Sequence, residues 1–204
     1  ATALPAAGNI TVAGGTLDLG GQTPTFSGAV SLTGGTLANG TIVKNNGNYD
    51  LQSGTVASST TLSGSAGVVK SGAGTVVLTG VFHNYTGVTT VSNGTLQLGD
   101  GVNNGSTPGP INNNGTVTFN PGSEQLWLQS ITGQSATVIK DGPNNLDIAA
   151  TVVVDGNVIV NGQSVVPPAS PWRWLLYALY FFVLEARWGA SLGKQLFGLR
   201  LSSP

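Results

Sequence analysis

A short triplet, Gly-Thr followed by Leu or Val, recurs along this chain about every twenty residues. Successive threonines of the triplet are separated by 20, 19, 20, 20 and 21 residues. A fixed period of this length is typical of a solenoid, in which each repeat forms one coil stacked on the next. The period therefore constrains the fold class more than any other feature. The six copies begin at Gly15, Gly35, Gly54, Gly74, Gly94 and Gly115.

The residues between these triplets favour short strands joined by tight turns. Apolar residues alternate with Thr, Ser or Gln, the pattern of a strand with one buried face. Gly-Gly and Asn-Gly pairs precede several strands, where the chain must turn a corner. We therefore predict an all-β, parallel β-helix with roughly seven or eight coils and about 4.8 Å per coil. The residues expected to stack inside as an aliphatic ladder are Leu17, Leu37, Val56, Val76, Leu96 and Val117.

Composition excludes several other classes of protein. The chain has 31 Gly and only 7% charged residues, which suits turns and strands but not a highly charged disordered segment. It has no Cys, so disulfide frameworks and thiolate metal sites are excluded. The formal net charge is only -1, and no basic patch indicates nucleic acid as a partner.

The chain divides into two unlike regions near Pro167 and Pro168. Residues 1–166 hold three Lys against seven Asp or Glu, whereas residues 167–204 hold three Arg and one Lys against Glu185 alone. Consecutive prolines can continue neither a helix nor a β-ladder. We predict a β-helix repeat domain over 1–166, and over 167–204 a Pro-rich boundary followed by a hydrophobic helical tail.

Three copies of an apolar-Lys turn entry overlay the twenty-residue period. They contain Lys44, Lys70 and Lys140. We interpret them as charges that cap strand ends and discourage edge-to-edge pairing. A ligand-binding role for these lysines is the alternative.

The middle of the chain resembles the autotransporter-associated β-strand repeat. The similarity is carried by Val69-Lys70-Ser71-Gly72-Ala73-Gly74-Thr75-Val76-Val77-Leu78-Thr79-Gly80, by Asn84-Tyr85-Thr86-Gly87-Val88-Thr89-Thr90-Val91, and by Gly94-Thr95-Leu96-Gln97-Leu98-Gly99. Weaker copies extend over about residues 8–150. The resemblance implies a right-handed β-helix in the secreted passenger region of a bacterial surface protein. It also implies a role in scaffolding and passenger transport, not in catalysis.

The titratable residues give little indication of catalysis. Glycoside hydrolysis needs two carboxyl groups about 5–10 Å apart. Asp100 and Asp141 are 41 residues apart in sequence, which would place them two coils and about 10 Å from each other. Lone Asp residues beside Gly and Asn are more often turn residues. His83 is the only histidine, and we expect it to be exposed in a loop. We predict no catalytic, cofactor-binding or metal-binding residue, and no cofactor.

The C-terminal tail contains eleven consecutive apolar or aromatic residues, Trp174 to Leu184. That is shorter than the roughly 20 residues that span a bilayer, and it favours a buried or interfacial helix. The alternative is a helix that caps the open end of the solenoid. Residues 172–201 resemble a fragment of the RDD family of membrane proteins, chiefly over Glu185 to Leu201, without that family's other spans. Membrane contact is expected through residues 172–188.

The sequence is compatible with three functions. The first is a non-enzymatic structural or display scaffold from a secreted or surface-exposed, outer membrane-associated bacterial protein. The second is an adhesin that binds a host, matrix or polysaccharide ligand on a lateral face, which requires an exposed aromatic stripe. The third is a β-helix carbohydrate-active enzyme, which the scattered acids disfavour.

Overall fold

The computed structural model describes residue 4, residues 7–160 and the backbone of residues 163–165. The described residues form a parallel β-solenoid of about eight turns, with no helix. This confirms the all-β class and the parallel coils expected from the Gly-Thr period. The strands are β1 Ile10–Asp18, β2 Thr25–Phe26, β3 Val30–Ala38, β4 Gly40–Lys44, β5 Asn48–Leu51, β6 Gly54–Val56, β7 Thr60–Gly64, β8 Gly67–Lys70, β9 Thr75–Leu78, β10 Asn84–Tyr85, β11 Thr89–Val91, β12 Thr95–Leu98, β13 Ile111–Asn113, β14 Thr116–Phe119, β15 Gln125–Trp127, β16 Ile131–Gly133, β17 Thr137–Lys140, β18 Leu146–Ile148, β19 Val152–Val154, β20 Asn157–Val160 and β21 Gln163–Val165.

Each coil contributes a strand to a first sheet, and we number the coils by that strand. The first sheet stacks β1, β3, β5, β8, β11, β13, β16 and β19 in parallel. Its register pairs residues about one repeat apart, for example Ile10 with Val30 and Ile111 with Ile131. The described residues therefore contain eight coils in register.

The second sheet contains the Gly-Thr-Leu/Val triplets. It stacks the distal halves of β1 and β3, then β6, β9, β12, β14, β17 and β20. In the first two coils a single nine-residue strand runs through both sheets, and it bends at Gly15 and Gly35, which adopt φ of 64° and 72°. β21 pairs antiparallel with β20 and so departs from the parallel pattern.

A third sheet closes the coil, but it is interrupted. β2, β4, β7 and β10 stack in one part, and β15 pairs with β18 in another. The fifth coil contributes no strand to this sheet, because residues 99–110 form a loop. That loop separates the two parts of the third sheet, and it carries Asp100.

The predicted aliphatic ladder is buried, but its register is not continuous. Leu37, Val56, Val76, Leu96 and Val117 are at most 1% exposed, and Leu17 is half-buried in the first coil. However, Val56 lies opposite Leu78, and Val76 lies opposite Gly54. In the following coils Val76 pairs with Leu96, and Leu96 pairs with Val117. The stack therefore slips by two residues between the third and fourth coils, which keeps the apolar side chains on the inner face.

The slip results from a longer corner between the first and second sheets. From Leu51 to Val56 the third coil turns this corner in five residues, whereas the fourth coil takes eight, from Lys70 to Leu78. The extra length lies in Ser71–Gly74, which form an open turn outside the strands. A twenty-residue period can thus be maintained while the shape of a corner changes.

The predicted C-terminal features lie outside the described residues. These are the hydrophobic helical tail, the boundary at Pro167 and Pro168, and the segment that resembles the RDD family. The right-handed sense of coiling stays a prediction from the resemblance. Within the part of the chain that the structure describes, no helix is long and apolar enough to cross a membrane.

Candidate functional site

The three lysines of the turn entries face the interior of the coils. Lys70 lies between Leu51 and Val91 in the register of the first sheet, and both of those neighbours are buried. Lys70 itself is 0% exposed, and Lys44, the last residue of β4, is 3% exposed. These positions belong to strands that are paired on both sides. The interpretation of Lys44 and Lys70 as charges that protect a strand edge is therefore wrong.

Each lysine ammonium group binds carbonyl oxygens of a turn. Lys70 Nζ donates to the carbonyl of Asn93 at 2.9 Å and to that of Gly72. Lys44 Nζ donates to the carbonyl of Gly28 at 2.7 Å. In this way a long inward-facing side chain satisfies backbone acceptors that the strand ladders leave unpaired.

Lys140 makes the same kind of contact in a more open setting. Its Nζ donates to the carbonyls of Asp141 at 2.6 Å and Gly142 at 2.9 Å, and its side chain is half-buried.

Burial lowers the pKa of Lys70, and the nearby charge of Asp50 partly offsets this effect. Asp50 in turn accepts hydrogen bonds from Ser71 Oγ at 2.5 Å and Gln52 Nε2 at 2.7 Å.

His83 is buried, contrary to the prediction that it is exposed in a loop. It is 5% exposed, and its Nδ1 accepts a hydrogen bond from the backbone N–H of Leu62 at 3.2 Å. Because β10 begins only at Asn84, the imidazole takes the place of a ladder acceptor beside β7. Burial lowers the pKa of His83 to about 4. The ring is therefore neutral near pH 7, and its proton lies on Nε2.

The Nε2 of His83 lies directly behind Gly80. This nitrogen is buried and has no hydrogen-bond partner among the described residues. A Cβ added at Gly80 would lie 3.4 Å from Nε2 and 3.5 Å from the carbonyl oxygen of Thr60. Since Gly80 has no side chain, it leaves a space about the size of a methyl group beside a buried N–H donor.

The structure places Asp100 and Asp141 at the same corner, two coils apart. In the second sheet Leu98 pairs with Phe119, and Phe119 pairs with Lys140. The residues that directly follow these three therefore occupy equivalent positions in successive coils: Gly99, Asn120 and Asp141. Asp100 Oδ1 accepts the N–H groups of Val102 at 2.9 Å and Asn103 at 2.6 Å. Asp141 Oδ1 accepts the N–H of Gly142 at 2.8 Å.

Each of these two carboxylates thus organises its own turn. Desolvation would raise the pKa of Asp100, but the hydrogen bonds from Asn103 and Val102 outweigh it and lower the pKa. Other acids make similar contacts: Asp18 accepts the N–H of Gly20 at 2.7 Å, and Asp155 accepts the N–H of Ser135. Among the described residues, no group of three or more His, Asp or Glu side chains is arranged to hold a metal ion.

A groove of about 300 Å³ opens beside the interrupted third sheet. Its lining comes from four successive coils, from Ser58 in the third to Ser123 in the sixth. Phe82 and Val102 line the groove and are 79% and 80% exposed, and Gly80 also lines it. The lining contains no charged side chain.

The walls of this groove are held by hydrogen bonds. We call Gly80–Phe82 the first wall and Val102–Asn104 the second. Ser106 contacts the first wall: its N–H donates to the Gly80 carbonyl at 3.0 Å, and its hydroxyl donates to the Val81 carbonyl at 3.2 Å. Asp100 holds the second wall through Val102 and Asn103, as described above. Asn104 ties that wall to the next coil through two contacts of 3.1 Å with Ser123.

The aromatic side chains show no exposed stripe along a lateral face. Phe26, Tyr85, Phe119 and Trp127 are at most 1% exposed, and Phe119 packs edge-to-face against Trp127 with ring centroids 4.9 Å apart. Phe82 is the exposed exception within the described part of the chain. The groove was not predicted from the sequence, because its lining comes from separate coils that only the register brings together.

Comparison with protein families identifies two segments of the solenoid. Residues 14–38 and 68–98 match the passenger-associated-transport-repeat family model. These two segments are similar to passenger-associated transport repeats. The first matched segment covers the distal half of β1 through β3, and the second covers β8 through β12. No curated protein and no solved structure matches the chain significantly.

The match supports the predicted resemblance to an autotransporter passenger repeat, and such repeats imply a secreted or cell-surface protein. The matched segment 68–98 contains Lys70 and its turn, His83, and the Gly80–Phe82 wall of the groove. Residues 172–201, which resemble the RDD family, fall outside both matched segments and outside the described residues.

Proposed function

We propose that this chain is a structural segment of an exported bacterial passenger and that it acts as a scaffold without catalytic activity. The main support for the proposal is that two segments similar to transport repeats lie within a stack of eight parallel coils. In such a stack each coil contacts mainly its neighbours, so folding can propagate from one coil to the next. Folding in this manner outside the cell would favour outward movement of the chain.

The use of the polar side chains supports a structural role. Lys44, Lys70 and Lys140, the corner lysines, bind turn carbonyls. Backbone N–H groups are bound by four carboxylates, those of Asp18, Asp100, Asp141 and Asp155. Asn side chains bridge adjacent coils as well: Asn9 Oδ1 accepts the N–H of Ala29 at 2.8 Å, and Asn45 Oδ1 accepts that of Ser65 at 3.1 Å. Groups with these functions hold coils together and position turns.

The test of the scaffold is surface display of the chain. Residues 1–204 replace the passenger of an autotransporter, and protease accessibility on intact cells measures the exported amount. We expect display of the native sequence and a large loss in Leu96→Asp, which puts a charge in the core. Gln97→Asp is the matched control, since Gln97 is the next residue of β12 and is half-buried. Equal display of both variants would contradict a role for coil folding in export.

The absence of catalysis has its own test. Turnover of polyuronates by the native chain, lost in Asp100→Ala while the melting temperature stays within a few degrees, would overturn the non-enzymatic assignment. We expect no turnover in either protein. Because Asp100 binds the turn at Val102 and Asn103, the melting curve distinguishes a catalytic loss from a structural one.

A further inference from the structure

We propose that the groove between Phe82 and Val102 binds a neutral saccharide. This site is a single groove lined by residues of the third to sixth coils, so it does not depend on an aromatic stripe along a lateral face. It adds a binding activity to the scaffold and does not depend on the scaffold's role in export.

The chemistry of the groove is that of a sugar site. Phe82 presents an aromatic face that is 79% exposed, and the C–H face of a pyranose packs well on such a surface. Val81 and Val102 extend the apolar surface, at 42% and 80% exposed. A concave site with an apolar wall and a few oriented polar groups is typical of small-molecule binding.

Polar groups for sugar hydroxyls lie at the edges of the same groove. The hydroxyl of Ser58 and the amide oxygen of Asn103 make no hydrogen bond to other described protein groups, although both residues line the groove. The Asn103 amide nitrogen contacts both carboxylate oxygens of Asp100, at 3.4 and 3.2 Å. That contact orients the amide oxygen before a ligand arrives, which reduces the entropy lost on binding.

The charge of the surroundings selects neutral over acidic sugars. The lining contains no Lys or Arg to pair with a uronate carboxyl group, and the carboxylate of Asp100 adjoins Val102 and Asn103. A negatively charged ligand would be repelled by Asp100 without a compensating cation.

Titration calorimetry of the full chain tests the proposal with three neutral probes, maltohexaose, cellohexaose and chitohexaose, and one acidic probe, hexagalacturonate. We expect saturable binding of at least one neutral probe and weaker or no binding of the acidic one. Phe82→Ala should lower the affinity about tenfold or more, which corresponds to about 1.4 kcal/mol. Leu128→Ala is the matched control, because Leu128 is 62% exposed and lies outside the groove.

Ser58→Ala provides a second variant with an independent reason to bind more weakly. It removes a hydroxyl that lines the groove and makes no hydrogen bond to other described protein groups. We expect weaker binding in this variant and an unchanged melting temperature in all three. Failure of every neutral probe, equal effects of Phe82→Ala and Leu128→Ala, or tighter binding of hexagalacturonate would each overturn the saccharide site and leave the scaffold proposal standing.

Discussion

The first three coils and the next four differ in the length of the corner that joins the first sheet to the second. In coils one to three, five residues lead from the first sheet to the equivalent inward position of the second, as from Leu32 to Leu37. In the fourth to seventh coils the same step takes six to eight residues, as from Lys70 to Leu78. The short corners of the first two coils contain a glycine with positive φ, Gly15 or Gly35. In the longest corner, buried Lys70 donates hydrogen bonds to turn carbonyls.

This difference shows which part of the repeat is fixed. The strand register determines which side chains enter the core, so its inward and outward alternation is kept even where the stack slips by two residues. The corner tolerates changes in length because its backbone groups can be satisfied by side chains as well as by neighbouring strands. The longer corners also bring polar side chains into the interior.

The largest expected loss of stability comes from a charge placed in the core, and we compare this change in two different coils. Leu96→Asp, in the middle of the solenoid, should remove about 4 kcal/mol or more of stability, because it buries an unpaired carboxylate. Leu37→Asp, in the second coil, should leave the later coils folded, since coils depend mainly on neighbours. Circular dichroism during thermal unfolding measures both, and equal loss of signal in the two variants would contradict nearest-neighbour stacking.

Acid should destabilise the fourth coil through His83. Its pKa is about 6.5 in an unfolded chain and about 4 when buried, so between these pH values only the unfolded chain is protonated. Stability therefore falls as pH drops from 6.5 to 4 and the effect levels off below 4, with a total of about 3 kcal/mol. His83→Gln removes this titration and should flatten the difference between denaturation at pH 7 and pH 4.5. The prediction fails if both proteins lose stability equally.

The corner lysines should differ in proportion to their burial. Lys70→Met keeps the apolar stem but leaves the carbonyls of Gly72 and Asn93 without their donor, which should cost about 2–3 kcal/mol. Lys140→Met removes a half-exposed group whose carbonyl partners can turn to water, and about 1 kcal/mol or less is expected. Urea denaturation at pH 7 compares the two variants. A larger effect at Lys140 would mean that burial does not determine the contribution of these lysines.

The short corner can be tested with two glycines of similar backbone conformation. Gly35 and Gly47 have φ of 72° and 64°. A Cβ at Gly35 would lie 2.4 Å from the Gly15 carbonyl oxygen, whereas at Gly47 the nearest atom is Lys44 Cε at 3.9 Å. Gly47→Ala should therefore cost about 1 kcal/mol from backbone strain alone, and Gly35→Ala about 1 kcal/mol more. Melting temperatures that match would show that the coils can move apart at this corner.

Much of the solenoid could be predicted from the sequence because its main signal is periodic. The six Gly-Thr triplets indicated the parallel coils, their number and the buried positions at Leu37, Leu96 and Val117. The slip at Val76 could not be predicted, since it depends on how residues 71–74 leave the strand. The exposure of His83 was predicted wrongly, because nothing local indicated that its ring would replace a backbone acceptor for Leu62.

The sequence by itself determined the period, the strand alternation and the similarity to transport repeats, since these depend on residue spacing along the chain. Only the tertiary structure decided where the polar side chains act. Lys70 reaches Asn93, and Phe82 and Val102 line one groove, only after neighbouring coils have stacked in a specific register. Contacts between coils depend on that register and on the length of each corner, and neither is a property of a single segment of sequence.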